Sequence, residues 1–132
     1  MTMQDLIKDW HTIVKTRNME ALKDLLAEEA TMISPVVHTP QVGKDITFMY
    51  LAAAVNVFGN DHFNYVRELV NDTSAVLEFE TEINGIYING VDMIKWNEDG
   101  KIIEFKVMIR PLQGLNLIHE MMGQLLQTMK QD

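Results

Sequence analysis

The second half of the chain is a series of four strand-like segments separated by short turns. The segments HFNYVRELV, SAVLEFETEI, IYINGVDMIKW and KIIEFKVMIR show the two-residue alternation of β-strands. The stretches between them, NDTS, Asn84-Gly85 and NEDG, are typical of hairpin turns. Links this short can join only antiparallel neighbours, because a parallel crossover needs a dozen or more residues. The sequence therefore predicts a four-stranded antiparallel meander.

The first half of the chain has helical spacing instead. Residues 2–5, TMQD, resemble a capping box, and the helical apolar face that follows includes Trp10. A second helix, MEALKDLLAEE, begins after the cap residue Asn18, and a third, KDITFMYLAAAVNVF, ends at Gly59. Between these two helices, ATMIS is predicted to be a short strand that stops at Pro35, and PVVHTPQVG is predicted to be a loop.

A last amphipathic segment follows Arg110-Pro111 and reaches the end of the chain. Its apolar stripe consists of Leu115, Ile118, Met122, Leu125, Leu126 and Met129. Helices followed by an antiparallel meander predict an α+β fold in one domain, residues 1–132. A twisted sheet wrapped around helices forms a cone with an apolar interior, and such cones often keep an open mouth.

Composition argues against several classes of function. Eleven basic and nineteen acidic residues give a net charge of −8, which disfavours binding to nucleic acid or to an anionic membrane. The chain has no cysteine, so disulfides and thiolate metal sites are excluded, and a reducing cytoplasm is compatible. There is no signal-peptide pattern, and no apolar run approaches the roughly 20 residues of a membrane span. We therefore expect a cytoplasmic protein that binds neither nucleic acid nor a membrane.

Three stretches carry a resemblance to a known family: LKDLLAEEATMISPVV, VGKDITFMYLAA and INGVDMIKWNEDGKIIEFKVMIRPLQGL. They are similar to SnoaL-like members of the nuclear transport factor 2-like superfamily, over nearly the whole chain. The most specific part is GVDxIxWNxDGKIxE with the Arg-Pro that follows the last strand. The resemblance implies a cone-shaped barrel of N-terminal helices packed into a strongly curved antiparallel sheet, with a C-terminal helix. It also implies a pocket in the concavity and, commonly, a homodimer.

This family includes ketosteroid isomerase, polyketide cyclases, limonene-epoxide hydrolase, dehydratases and non-catalytic binding domains. Ketosteroid isomerase needs a basic aspartate and an oxyanion pair of a tyrosine and a protonated aspartate. Those positions read Ser34, Trp10 and Asp92 here. Serine cannot remove a proton next to a carbonyl without an activating base. The last aspartate of the epoxide hydrolase reads Val107, so the resemblance supports neither of these two mechanisms.

Asp92 is the leading candidate for a catalytic residue. It has the same strand parity as Ile94 and Trp96, which predicts a carboxyl group on the apolar face of the sheet. As a functional group it would be protonated, because desolvation raises the pKa of a carboxyl, and it would donate to a ligand oxygen. As a structural group it would accept hydrogen bonds that hold the sheet to the helices. A bulge at Gly90 would instead turn it towards solvent.

His38 is the second catalytic candidate, because its loop between Pro35 and Pro40 is expected near the mouth of the cone. It could act as a base near neutral pH, or it could be a solvated loop residue. The predicted substrate-binding residues are Trp10, Ser34, Phe48, Tyr50, Phe79, Trp96, Met108 and Arg110. For the aromatic residues and the methionine the alternative is ordinary core, and for Arg110 it is an ion pair between elements.

The four histidines have no metal-binding spacing, and there is no phosphate-binding glycine loop, so we expect neither a metal nor a cofactor. The sequence predicts a homodimer that binds a small, largely hydrophobic molecule. If it is an enzyme, we expect isomerase, cyclase or lyase chemistry at Asp92, with a second polar group converging on that side chain in an open cavity. A non-catalytic binding or dimerisation domain would have Asp92 saturated by protein donors. An adaptor protein would have a filled cone and an apolar patch outside it.

Overall fold

Helices and strands follow the predicted order in the computed structural model, which describes residues 2–130. The helices are α1 Met3–Thr16, α2 Met19–Leu25, α3 Lys44–Phe58 and α4 Leu112–Lys130. The strands are β1 Leu26–Ile33, β2 Gln41–Val42, β3 Asn64–Val70, β4 Ser74–Ile83, β5 Ile86–Trp96 and β6 Ile102–Arg110. The predicted α+β class, with helices first, then a meander, then a C-terminal helix, is confirmed.

The six strands form one curved sheet in the order β2-β1-β6-β5-β4-β3. The strands β3 to β6 make the predicted antiparallel meander. The strand β1 lies parallel to β6, which joins the first half of the chain to the last strand. Because β2 and β3 form its two edges, the sheet wraps around the helices as an open cone rather than a closed barrel.

One boundary differs from the prediction. The second helix was expected to continue through LLAEE, but α2 ends at Leu25 and β1 begins at Leu26. Leu26 pairs with Ile102 of β6, and both Ala30 and Met32 are buried. Pairing with a neighbouring strand and burial together outweigh the local helix propensity of this stretch. The expected loop after Ile33 also contains β2, which pairs with β1.

The helix ends have the predicted caps. The backbone N–H of Asp5 donates to Thr2 Oγ1 at 3.1 Å, and the N–H of Thr2 donates to Asp5 Oδ2 at 3.2 Å. Asn18 Oδ1 accepts from the N–H of Ala21 at 3.1 Å, which fixes the start of α2.

Within residues 2–130, no helix combines the length and the apolar character needed to cross a membrane.

Two groups of buried apolar side chains fill the concave side of the sheet. The larger group joins α1, α2 and α3 to the sheet and includes Trp10, Leu51 and Phe105. The smaller group lies under α4 and includes Phe79 and Ile118. Residues of both groups line a cavity, so the space between the helices and the sheet is only partly filled.

Candidate functional site

A cavity of about 270 Å³ lies between α1, α3, α4 and the concave face of the sheet. Most of the side chains that line it are apolar. The polar ones, apart from the indole of Trp10, are Ser34, Tyr50, Tyr65, Asp92, His119 and Gln127. Of the described residues that line this space, Asp92 is the one acid, and none is a lysine or an arginine.

Asp92 reaches the cavity from the middle of β5. It pairs with Leu77 of β4 and Val107 of β6, and only 7% of its surface is exposed. The predicted alternative, in which a bulge at Gly90 turns Asp92 to solvent, is wrong. The β4–β5 register runs through Gly90 without a shift, so strand alternation points the carboxyl inwards.

Gly90 is required by the ring that packs on it. A Cβ atom at this position would lie 2.5 Å from Phe79 Cζ and 2.7 Å from the carbonyl oxygen of Met108. The ring of Phe79 therefore lies directly over the backbone of β5, two residues from Asp92. This contact fixes one wall of the cavity next to the carboxyl group.

A directed chain of hydrogen bonds ends on Asp92. Trp10 Nε1 donates to the hydroxyl oxygen of Tyr65 at 3.0 Å, and that hydroxyl donates to Asp92 Oδ2 at 2.6 Å. The direction is fixed because an indole N–H can only donate and a phenol has a single hydrogen. No described residue hydrogen-bonds to Asp92 Oδ1, so this oxygen is the one available to a ligand.

The surroundings of Asp92 bring its ionisation near neutral pH. Burial raises the pKa of this carboxyl from its ordinary value of 3.8 to about 7, although the hydrogen bond from Tyr65 lowers it in part. Burial, together with the nearby carboxylate, raises the pKa of Tyr65 well above 10.0. Asp92 can therefore exchange a proton near pH 7 while Tyr65 keeps its own.

The ring of Tyr65 is held by aromatic neighbours. Phe63 meets it edge to face with 5.1 Å between ring centroids, and Phe79 does the same at 6.4 Å. On the other side, the ring of His11 packs against it at 5.0 Å while His11 Nε2 pairs with Glu68 Oε1. These contacts fix the phenol before any ligand arrives, so its hydroxyl group is preorganised towards Asp92.

Ser34 directly follows β1 and lines the cavity. Ile33 pairs with Lys106 and Asp92 pairs with Val107, so one strand, β6, separates Ser34 from Asp92. Among the described residues, no hydrogen bond joins the two side chains. Ser34 Oγ accepts from the N–H of Val36 at 3.2 Å and still faces the cavity.

Half of the ten predicted site residues line the cavity. These are Trp10, Ser34, Tyr50, Phe79 and Asp92. His38 lies outside it, exposed in the loop after β1. Phe48 also lies outside the cavity, where it packs against the core beneath Lys23, whose Nζ is 5.5 Å from the ring centroid.

The other three predicted residues lie elsewhere on the sheet. Trp96 is buried beside a separate groove along the start of α1. Met108 points away from the cavity and is 48% exposed, because it has the opposite strand parity to Val107. Arg110 is exposed, and its Nη1 donates to Asn89 Oδ1 at 3.3 Å. In the described part of the chain it has no ion pair of the kind proposed for it.

Three polar residues of the cavity were not predicted as site residues. Tyr65 is the important one, and the only signal for it was the alternation of Phe63 and Tyr65 in HFNYVRELV. His119 lines the cavity from α4. Gln127 lies two turns further along the same helix. Among residues 2–130, no three His, Asp or Glu side chains converge as a metal ion would require.

Comparisons with known proteins agree with this fold. The family model of the SnoaL-like domain matches residues 7–105. The structure of a steroid delta-isomerase from Pseudomonas aeruginosa is 34% identical, with 98% of this chain and 94% of that chain covered and a TM-score of 0.90. A bacterial protein with a cystatin-like fold from Silicibacter pomeroyi is 26% identical, with coverage of 94% and 86% and a TM-score of 0.84.

A third solved structure is similar in fold alone. It is an epoxide hydrolase/cyclase-like enzyme of pyran ring formation in the polyether salinomycin. It is 17% identical, with 81% of this chain and 89% of that chain covered and a TM-score of 0.64. The comparison with curated proteins gives no match.

Proposed function

Because the chain belongs to the family of SnoaL-like domains, we propose that it binds a small, largely hydrophobic molecule in its cavity and moves a proton on it without a cofactor. The observation that carries this proposal is the state of Asp92. Its carboxyl is buried among apolar side chains, Oδ2 is held by Tyr65, and Oδ1 is left for the ligand. A buried acid with a shifted pKa in a cavity is a common mark of an active site.

The chemistry proposed for Asp92 is that of a single proton shuttle. In its ionised form Oδ1 takes a proton from a carbon or oxygen of the ligand, and in its protonated form it returns the proton elsewhere on the same molecule. A pKa of about 7 suits both steps near neutral pH, because neither form is scarce. Tyr65 and Trp10 keep the carboxyl oriented, and they do not contact the reacting atoms in this scheme.

Isomerisation is the reaction class we favour among isomerase, cyclase and lyase chemistry. A 34% identical relative carries the name steroid delta-isomerase, which supports this class. The mechanism of ketosteroid isomerase is not proposed, because the position of its base reads Ser34 and its helix tyrosine reads Trp10. The N–H of Trp10 donates to Tyr65, so it does not serve as an oxyanion donor.

Non-catalytic ligand binding is the second candidate, and one observation favours it. The single hydrogen of the Tyr65 hydroxyl is already donated to Asp92, so this group has none for a negative charge that develops on a substrate oxygen. A cavity with an anchoring carboxyl but no oxyanion donor at its side would bind a ligand without converting it.

A matched pair of assays separates these two functions. Binding is followed with an uncharged apolar fluorescent dye, N-phenyl-1-naphthylamine, and turnover with cyclohex-3-en-1-one, whose conversion to the conjugated enone is seen by absorbance. The enzyme proposal expects turnover that falls at least a hundredfold in Asp92→Asn while the dye still binds. Dye binding with no turnover of this or larger β,γ-unsaturated ketones favours the binding protein. Absence of binding of the dye and of the ketones would contradict both.

We also propose that two copies pair through the outer face of the sheet. This face carries exposed apolar side chains, with Leu69 at 60% and Met108 at 48% exposure, among charged ones. Light scattering on a size-exclusion column should give twice the mass of the 15.2 kDa chain. Met108→Lys should shift the protein towards the monomer, because it would place two like charges in the interface, whereas Leu112→Lys, exposed at the start of α4, should leave the mass unchanged.

A further inference from the structure

The helix α4 presents a row of two polar side chains and a glycine to the mouth of the cavity. His119, Gly123 and Gln127 are spaced four residues apart, so they follow one another along one side of the helix. All three line the cavity and are exposed, which places them at its rim. The neighbouring row on the same helix is apolar and consists of Ile118, Met122 and Leu126.

Gly123 leaves open space that packing does not require. Apart from its chain neighbours and the backbone of its own helix, no heavy atom of the described residues lies within 4 Å of the position that a Cβ would take there. A glycine inside a helix destabilises it relative to alanine, so the protein gains no stability from this residue. Its effect is to keep the rim of the cavity open between His119 and Gln127.

The two polar side chains have no partner within the described part of the chain. Neither His119 nor Gln127 forms a hydrogen bond or an ion pair with a described residue. Each can both donate and accept, so together they suit a hydroxyl or a carbonyl group. A carboxylate would lack a fixed countercharge, since no described lysine or arginine lines the cavity.

We propose that this row is a second polar subsite, and that the ligand is an elongated, uncharged, mostly apolar molecule with an oxygen at each end. The inner oxygen meets Asp92 Oδ1, and the outer one is held by His119 and Gln127, with Gly123 leaving room for it. This inference rests on the proposed binding of a hydrophobic molecule in the cavity, and it adds the second oxygen and the absence of charge.

Three probes of equal chain length test the proposal by calorimetry: decan-1-ol, decane-1,10-diol and 10-hydroxydecanoate. The diol should bind about five- to tenfold more tightly than decan-1-ol, the gain expected from one well-placed hydrogen bond. The hydroxy acid should bind no more tightly than the diol. The double variant His119→Leu/Gln127→Leu should lose the preference for the diol, so that the diol binds no more tightly than decan-1-ol.

Two further variants keep the test independent of folding. Gln124→Leu changes an exposed residue of the same helix that does not line the cavity, so it should preserve the preference. Gly123→Leu should hold or raise the melting temperature, because leucine favours a helix more than glycine does. The same variant should weaken the binding of the diol at least tenfold, because its side chain enters the mouth.

The outcomes are distinct. A diol that binds no better than decan-1-ol, or a preference that survives in the double variant, would overturn the subsite. Tighter binding of 10-hydroxydecanoate than of the diol would overturn the uncharged ligand. If decan-1-ol itself does not bind, the proposed function fails, and this inference fails with it.

Discussion

The hydroxyl of Tyr65 donates to Asp92 Oδ2 over 2.6 Å, and this contact opposes the effect of burial on the carboxyl. Burial raises the pKa of Asp92, whereas the hydrogen bond lowers it, because it stabilises the ionised form. The balance places the pKa at about 7. Changes to either residue should therefore be visible both in the titration of the carboxyl and in the stability of the fold.

Asp92→Asn should change how stability depends on pH. The folded pKa is raised from 3.8 to about 7, so the native state holds this proton more tightly than the unfolded chain does. The contribution of Asp92 to the free energy of unfolding is therefore greatest below pH 4. It falls as the pH rises through 7, by as much as about 4 kcal/mol. We expect the variant to match the wild type in urea unfolding at pH 4 and to exceed it at pH 8. A constant difference across this range would contradict the raised pKa.

Tyr65→Phe should raise the pKa of Asp92 above 7, because the bond that favours the ionised form is removed. It should also cost about 1–3 kcal/mol, since the indole N–H of Trp10 loses its acceptor. Carbon-13 NMR titration of the carboxyl and urea unfolding measure the two effects. The matched control is Tyr87→Phe, which removes an exposed hydroxyl bonded to Glu80 at 3.0 Å and should change stability by less than about 0.5 kcal/mol.

Trp10→Phe should raise the pKa of Asp92 by less than Tyr65→Phe does. The indole N–H polarises the Tyr65 hydroxyl and so strengthens its bond to the carboxyl, an indirect effect. The same NMR titration should give the order wild type, Trp10→Phe, Tyr65→Phe. Trp96→Phe is the control, because Trp96 Nε1 has no hydrogen-bond partner in the described part of the chain. A shift of equal size in that control would remove the special role of Trp10.

The same change, glycine to alanine, should have opposite effects at two positions. Gly90→Ala should destabilise the protein by about 1–3 kcal/mol, because the added methyl group collides with the ring of Phe79 and the backbone of Met108. Gly123→Ala should stabilise it by about 0.5–1 kcal/mol, because it meets open space on a helix. Urea unfolding measures the change in the free energy of unfolding for each variant. A change in the same direction in both would contradict the packing described for Gly90.

The inward position of Asp92 could be predicted from the sequence, but its partner could not. Its parity with the apolar Ile94 and Trp96 was enough to place the carboxyl on the concave face. Tyr65 comes from an edge strand whose register with β4 shifts between Tyr65 and Arg67. Which of its side chains reaches Asp92 depends on that shift, and no pattern within HFNYVRELV reveals it.

Two wall residues were wrongly predicted for different reasons. Met108 shares its strand parity with the charged Glu104 and Lys106, whereas the parity of Val107 is apolar, so the alternation in β6 already indicated that Val107 faces the cavity and Met108 does not. Trp96 has the right parity but lies four residues from Asp92, about 13 Å along the strand, so it reaches a different space.

The position of α4 relative to the sheet could not be predicted from the sequence either. Its apolar stripe was evident from the helical spacing of Met122 and Leu126, but spacing does not say against what a helix docks. The structure lays this helix along the cavity, which makes His119 and Gln127 part of its rim. The spacing of these residues on one side of α4 identifies them as rim residues only once it is known that this side of the helix faces the cavity.

The parallel pairing of β1 with β6 has a consequence for the order in which the molecule assembles. The strand β6 lies between β1 and β5, yet it is the last strand to leave the ribosome. Without β6, Asp92 would belong to an edge strand, with no wall between it and water. The cavity thus depends on a contact between segments as distant in sequence as Ile33 and Lys106, and such long-range contacts slow folding.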